Sequence, residues 1–150
     1  MKIFTLILLF LPLLTFAQNV PNFKLCAKGE MQPYYYPELK YEGDLLAITS
    51  HFIKDYNSKK NINSTSNSGI LTIQFQVNCK GETGNYIVKM VDFDFKETNI
   101  NKEIVNEILT FTKGLNNWIP AIAEDGEIVN SHKFLTFKIK NSKIIEIYPT

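Results

Sequence analysis

Between Gly69 and Ile139 the chain passes through strand, turn, strand, helix and strand patterns in that order, and this succession restricts the fold more than any other feature. Leu71, Ile73, Phe75 and Val77 interleave with Thr72, Gln74 and Gln76, the period-two pattern of a strand with one buried and one wet face. Residues 78–84 supply a turn, with Gly81 and Gly84 tolerating positive φ. A return strand is expected over 85–95, with Ile87, Val91, Phe93 and Phe95 on one face and Val88 and Met90 on the other. Apolar residues on both faces imply that its middle is covered from both sides, with the N-terminal arm as the second cover.

Asn101 is positioned to cap a helix whose stripe is Ile104, Val105, Ile108, Leu109, Thr112 and Leu115. Glu103 in its first turn and Lys113 in its last suit the helix dipole, and Gly114 and Pro120 end it. A final strand is expected over 133–140 with Leu135, Phe137 and Ile139 inward, followed by a short terminal strand over 144–148. The fold class is therefore α+β, a two-layer β-β-α-β domain. An N-terminal arm over 18–43 and an extra helix precede it. That helix starts at Gly43 and Asp44, carries Leu45, Ile48, Phe52 and Tyr56 on one stripe, and stops near Asn57 and Ser58. Residues 57–68 (NSKKNINSTSNS) read as a surface loop containing a sequon at Asn63. The single domain spans 44–150, with its core at 69–148.

The first residues address the chain. One lysine, an apolar run from Ile3 to Leu14 and small residues at Thr15 and Ala17 make a secretory signal with cleavage expected after Ala17. The run is shorter than the ~20 apolar residues of a spanning helix and contains Pro12. No membrane span is expected in the mature chain. Its location is then the periplasm or the extracellular space, and the roughly 130 residues left fit one domain.

Charge and cysteine content exclude several functions. Basic and acidic residues nearly balance, 16 against 15, and every basic residue is lysine. No arginine fork is available for phosphate or guanine, which argues against nucleic-acid binding. Cys26 and Cys79, in an oxidising compartment, are expected to form a disulfide, the other state being two free thiols. Two cysteines with the distant His51 and His132 lack the close spacing of a metal site, so no metal or cofactor is expected. No P-loop, G-x-S-x-G or H-E-x-x-H motif occurs. Asp92 and Asp94 would share one side of the return strand, but with Lys89 and Lys96 beside them they read as a solvated face. The chain is not expected to be an enzyme.

Residues 69–77 (GILTIQFQV), the turn with Gly81, the helix, Asn117-Trp118-Ile119-Pro120, Gly126, and Phe137-Lys138-Ile139 with Glu146-Ile147 together resemble the C-terminal domain of TonB-like proteins. The resemblance covers about residues 69–148, and Tyr41-Glu42-Gly43 with its helix resembles the segment preceding this domain in Bacteroidetes-type members. It implies a periplasmic domain that binds an extended segment, such as part of an outer-membrane receptor, by strand pairing at a sheet edge. Full transducers carry an uncleaved membrane helix and a Pro-rich spacer, so binding without energy transduction is what the resemblance implies here. Trp118 and Pro120 would then fix the helix-to-strand crossing, with Gly69 and Gly81 as structural glycines. The binding edge would comprise Phe134, Leu135, Thr136, Phe137, Lys138 and Ile139. Two arrangements stay open at this point: that edge is free, or the terminal strand or the arm folds over it, as proteins protect edges. In the second case the chain is an accessory envelope protein docking a partner through Tyr34, Tyr35 and Tyr36.

Overall fold

The computed structural model describes residues 23–26, 31–32, 40–56 and 67–149. The expected signal segment, the Tyr34 to Tyr36 run and most of the 57–68 loop lie outside the described residues. The elements are β1 (Met31–Gln32), β2 (Lys40–Tyr41), α1 (Asp44–Asp55), β3 (Gly69–Val77), β4 (Thr83–Val91), α2 (Lys102–Gly114), β5 (Trp118–Ile119), β6 (Ala121–Ile122), β7 (Ile128–Lys140) and β8 (Lys143–Pro149). The α+β class holds, with two helices laid on one face of an antiparallel sheet.

β3 alternates buried and half-buried residues without a break, as its sequence dictates. It pairs β7 over nine successive positions, from Gly69 opposite Ile139 to Val77 opposite Ser131. On its other side β3 pairs β4. β7 is longer than expected and begins at Ile128, because a turn closed by Gly126 folds β6 back on it. It pairs β6 at Ile128 and Val129, and its flank away from β3 carries β1 in parallel at Asn130 and Ser131 and β8 from Leu135 to Lys140. Both edges of β7 are thus occupied almost end to end.

The inner face collects Leu71, Ile73 and Phe75 from β3, Leu135, Phe137 and Ile139 from β7, and Ile144 and Ile147 from β8, all buried. Helix α1 adds Ile48 and Phe52, and α2 adds Ile104 and Ile108. The Phe52 ring lies 4.9 Å from Phe137 and 5.8 Å from Phe111 of α2, so one aromatic joins both helices to the sheet. The Asn101 side chain caps α2, accepting the Glu103 N–H at 2.7 Å.

β4 ends at Val91, four residues before the expected limit. The Asp92 carboxylate accepts the N–H groups of Asp94 and Lys96, both at 2.9 Å, and bends the chain into a turn with Phe95 at φ 61°. Asp92 is therefore a turn former, and the strand-borne carboxylate pair does not exist. Of the two faces of β4, the one bearing Val88 and Met90 lies against the core, while Ile87 stays half exposed.

Cys26 and Cys79 are disulfide-bonded across a sequence separation of 53. The arm is also held by hydrogen bonds. The Cys26 N–H donates to Asn130 Oδ1 at 3.0 Å, and Asn130 Nδ2 donates back to the Cys26 carbonyl at 3.2 Å. Asn78 Nδ2 donates to the Lys24 carbonyl at 3.0 Å.

Cys79→Ser should lower stability by about 4 kcal/mol through freed chain entropy, read as a shift in the denaturant midpoint that reductant reproduces in the wild type. Burial raises the phenols of Tyr41, Tyr56 and Tyr86 above 10.0, most strongly at Tyr56, whose hydroxyl donates to the Ser142 carbonyl. Below pH ~10 both states keep these protons; above it the unfolded chain loses them first, so stability should fall. Tyr56→Phe should flatten that alkaline slope in denaturation curves taken on either side of pH ~10.

Candidate functional site

The sheet places the expected binding residues in its interior. Leu135, Phe137 and Ile139 are buried under the helices, and Phe134, Thr136 and Lys138 lie on the outer face. On that outer face Thr72 Oγ1 and Thr136 Oγ1 are 3.1 Å apart, Gln76 Nε2 and His132 Nε2 3.3 Å, and Lys138 Nζ and Glu146 Oε2 3.7 Å. Main-chain pairing to β3 takes one side of residues 134–139, and pairing to β8 takes the other side from Leu135 to Ile139. The expectation of an edge at Phe134 to Ile139 is therefore corrected: β8 covers it.

Among the described strands, β4 has a neighbour on one side only along most of its length. Alternate residues of an antiparallel strand direct their N–H and C=O groups to opposite flanks. The Met90 carbonyl accepts the Thr98 N–H at 3.4 Å and the Asp92 N–H donates to the Lys96 carbonyl at 2.8 Å, both on the flank away from β3. Val88 shares the parity of Met90, so its N–H and C=O face the same outward flank. The 96–98 segment thus closes the edge at 90–92 and stops there. Beside the open stretch runs a groove of about 570 Å³ lined by Val88, Lys89, Met90 and Val91 on one wall and Glu97, Thr98 and Asn99 on the other.

A second groove of about 620 Å³ crosses the outer face between Ile70, Val91, Phe93, Phe95 and Tyr148. Phe95 is 78% exposed and Phe93 45%. Val91 borders both grooves, so an apolar surface adjoins the open ladder. The tight turn at Asp92 is what displays these rings, and an Asp preceding alternating polar and aromatic residues was the available signal for it.

Gly81 and the crossing residues fall together at one end of the sheet, and Gly69 lies at the other. Trp118 is buried, its ring 5.2 Å from Phe75 and 4.9 Å from Tyr41, to which it is joined by the β2–β5 pairing. A Cβ at Gly81, which has φ 77°, would stand 2.5 Å from the Trp118 carbonyl oxygen. Pro120, half-buried, separates β5 from β6. At the start of β3, a Cβ at Gly69 would meet the Val91 carbonyl oxygen at 2.7 Å. His51 is exposed, edge-on to Phe52 and Phe111.

No family model, curated protein or solved structure matches this chain.

Phe23 packs directly over Gly84, leaving no room for a Cβ. Gly84→Ala should expel Phe23, costing about 1–3 kcal/mol by overpacking and raising amide exchange at residues 23–26.

Proposed function

We propose that this chain is an exported envelope protein that takes up an extended segment of a protein partner by strand addition, without transducing energy. It does so along the outward flank of β4 around Val88, in the manner of the TonB C-terminal-like domains that its strand, turn, helix, Trp-x-Pro and strand order resembles. The supporting observation is the ladder itself. Main-chain groups of Val88 point away from β3 into an open groove, and the neighbouring face is apolar. An added strand would gain backbone hydrogen bonds from that flank and place alternate side chains beside Ile87 and Val91, which supplies both affinity and selectivity. A segment of an outer-membrane receptor is the partner the resemblance suggests, and the periplasm the compartment.

Val88→Pro tests this directly, because it deletes an outward donor while the hydrogen bonds of β4 to β3 use the alternate residues. Partners captured from an envelope extract by the wild type should be lost by the variant, with its thermal transition retained. A photocrosslinking residue at Lys89, whose side chain is exposed, should label the same partner. Retention of every partner by a folded Val88→Pro variant excludes strand addition at this edge.

A further inference from the structure

The core face of β7 holds a lysine. Register places Lys133 opposite Phe75 and two residues before Leu135, so it shares the buried face with Leu135, Phe137 and Ile139. Its side chain is half-buried, and burial lowers its pKa from the ordinary lysine value. Among the described residues no carboxylate lies within ion-pairing distance of it. Beside it stands Trp118, only 5% exposed, whose indole Nε1–H is buried without an acceptor.

Both residues line one cavity of about 180 Å³, which Leu45 and Ile48 of α1 and Tyr41 also line. The N-terminus of α1 opens onto it through Asp44 and Leu45, and its N-cap is Gly43, which has no side chain to accept the first N–H groups. Trp118, Lys133 and the first turn of α1 thus border one space. An unpaired buried donor is costly, so an acceptor reaching the Trp118 indole N–H would relieve it, and an anionic one would also meet the half-buried Lys133 ammonium.

We propose that this cavity is a binding site for a small carboxylate. The carboxylate would accept from the Lys133 ammonium and the Trp118 indole N–H, with its apolar portion against Leu45, Ile48 and the Tyr41 ring. The volume suits a ligand of about benzene's size, since a cavity of ~150 Å³ accommodates benzene. Lys40 and Asp44, both exposed on the rim, bias selectivity in opposite senses: Lys40 attracts the anion and Asp44 opposes it. The site is separate from the β4 edge and does not depend on the peptide-binding proposal.

Trp118 is the only tryptophan, so its fluorescence reports on the cavity directly. Titration of the full mature protein with benzoate should give a saturable change, with benzamide, the neutral analogue, binding about tenfold or more weakly, the size of one charge-assisted hydrogen bond. Lys133→Gln should abolish that preference, Lys133→Arg should preserve it in part, and Asp44→Asn should tighten benzoate binding. Lys133→Gln removes a half-buried charge, so its denaturation midpoint should equal or exceed that of the wild type, which separates lost binding from lost folding. Absence of saturation, equal binding of benzoate and benzamide, or an undiminished preference in Lys133→Gln would overturn the proposal and leave ordered water as the partner of both donors.

Discussion

The unbroken pairing of β3 with β7 is the constraint from which the rest of the structure follows. Nine consecutive register positions fix which residues of each strand face the helices, because a slip of one residue would turn Leu71, Ile73, Phe75, Leu135, Phe137 and Ile139 toward water together. Once that register is set, Phe52 and Ile108 have a surface to cover, and α1 and α2 are held by burial more than by intrinsic propensity. The disulfide and the Asn130 side chain then attach the arm to a sheet end that is already defined.

Much of this was legible in the chain. The alternation in β3, the capped amphipathic stripe of α2, the extent of α1 and the Cys26–Cys79 bridge all carry local signals that the structure retains. Lateral strand order carries none. Period-two alternation states which face a residue occupies and says nothing of which strand lies beside it, so residues 134–139 looked as suitable for an edge as for the centre. β7 extends beyond its alternating stretch, since residues 128–132 show little alternation and are drawn into the sheet by pairing with β6, β1 and the end of β3.

The candidate sites show the same division. The open flank of β4 emerges from topology, which the sequence does not state. Its boundary at Asp92 depends on a side chain capturing two backbone N–H groups, a local event that an aspartate in that position can signal. Lys133 was legible by parity alone, two residues before Leu135, although at the margin of a strand a lysine more often reaches solvent. Its neighbour Trp118 drew attention as a crossing residue, and that position is where its indole loses access to water.

The hairpin segment 96–98 would have a further effect on a strand added as proposed. By taking the outward groups at Met90 and Asp92 for the chain itself, it acts as a mechanical stop at one end of the β4 flank. Under the strand addition proposed above, a guest polypeptide would not slide past that stop, so its alignment would be chosen by where its end comes to rest, and discrimination between sequences would begin with length and placement before any side chain is compared.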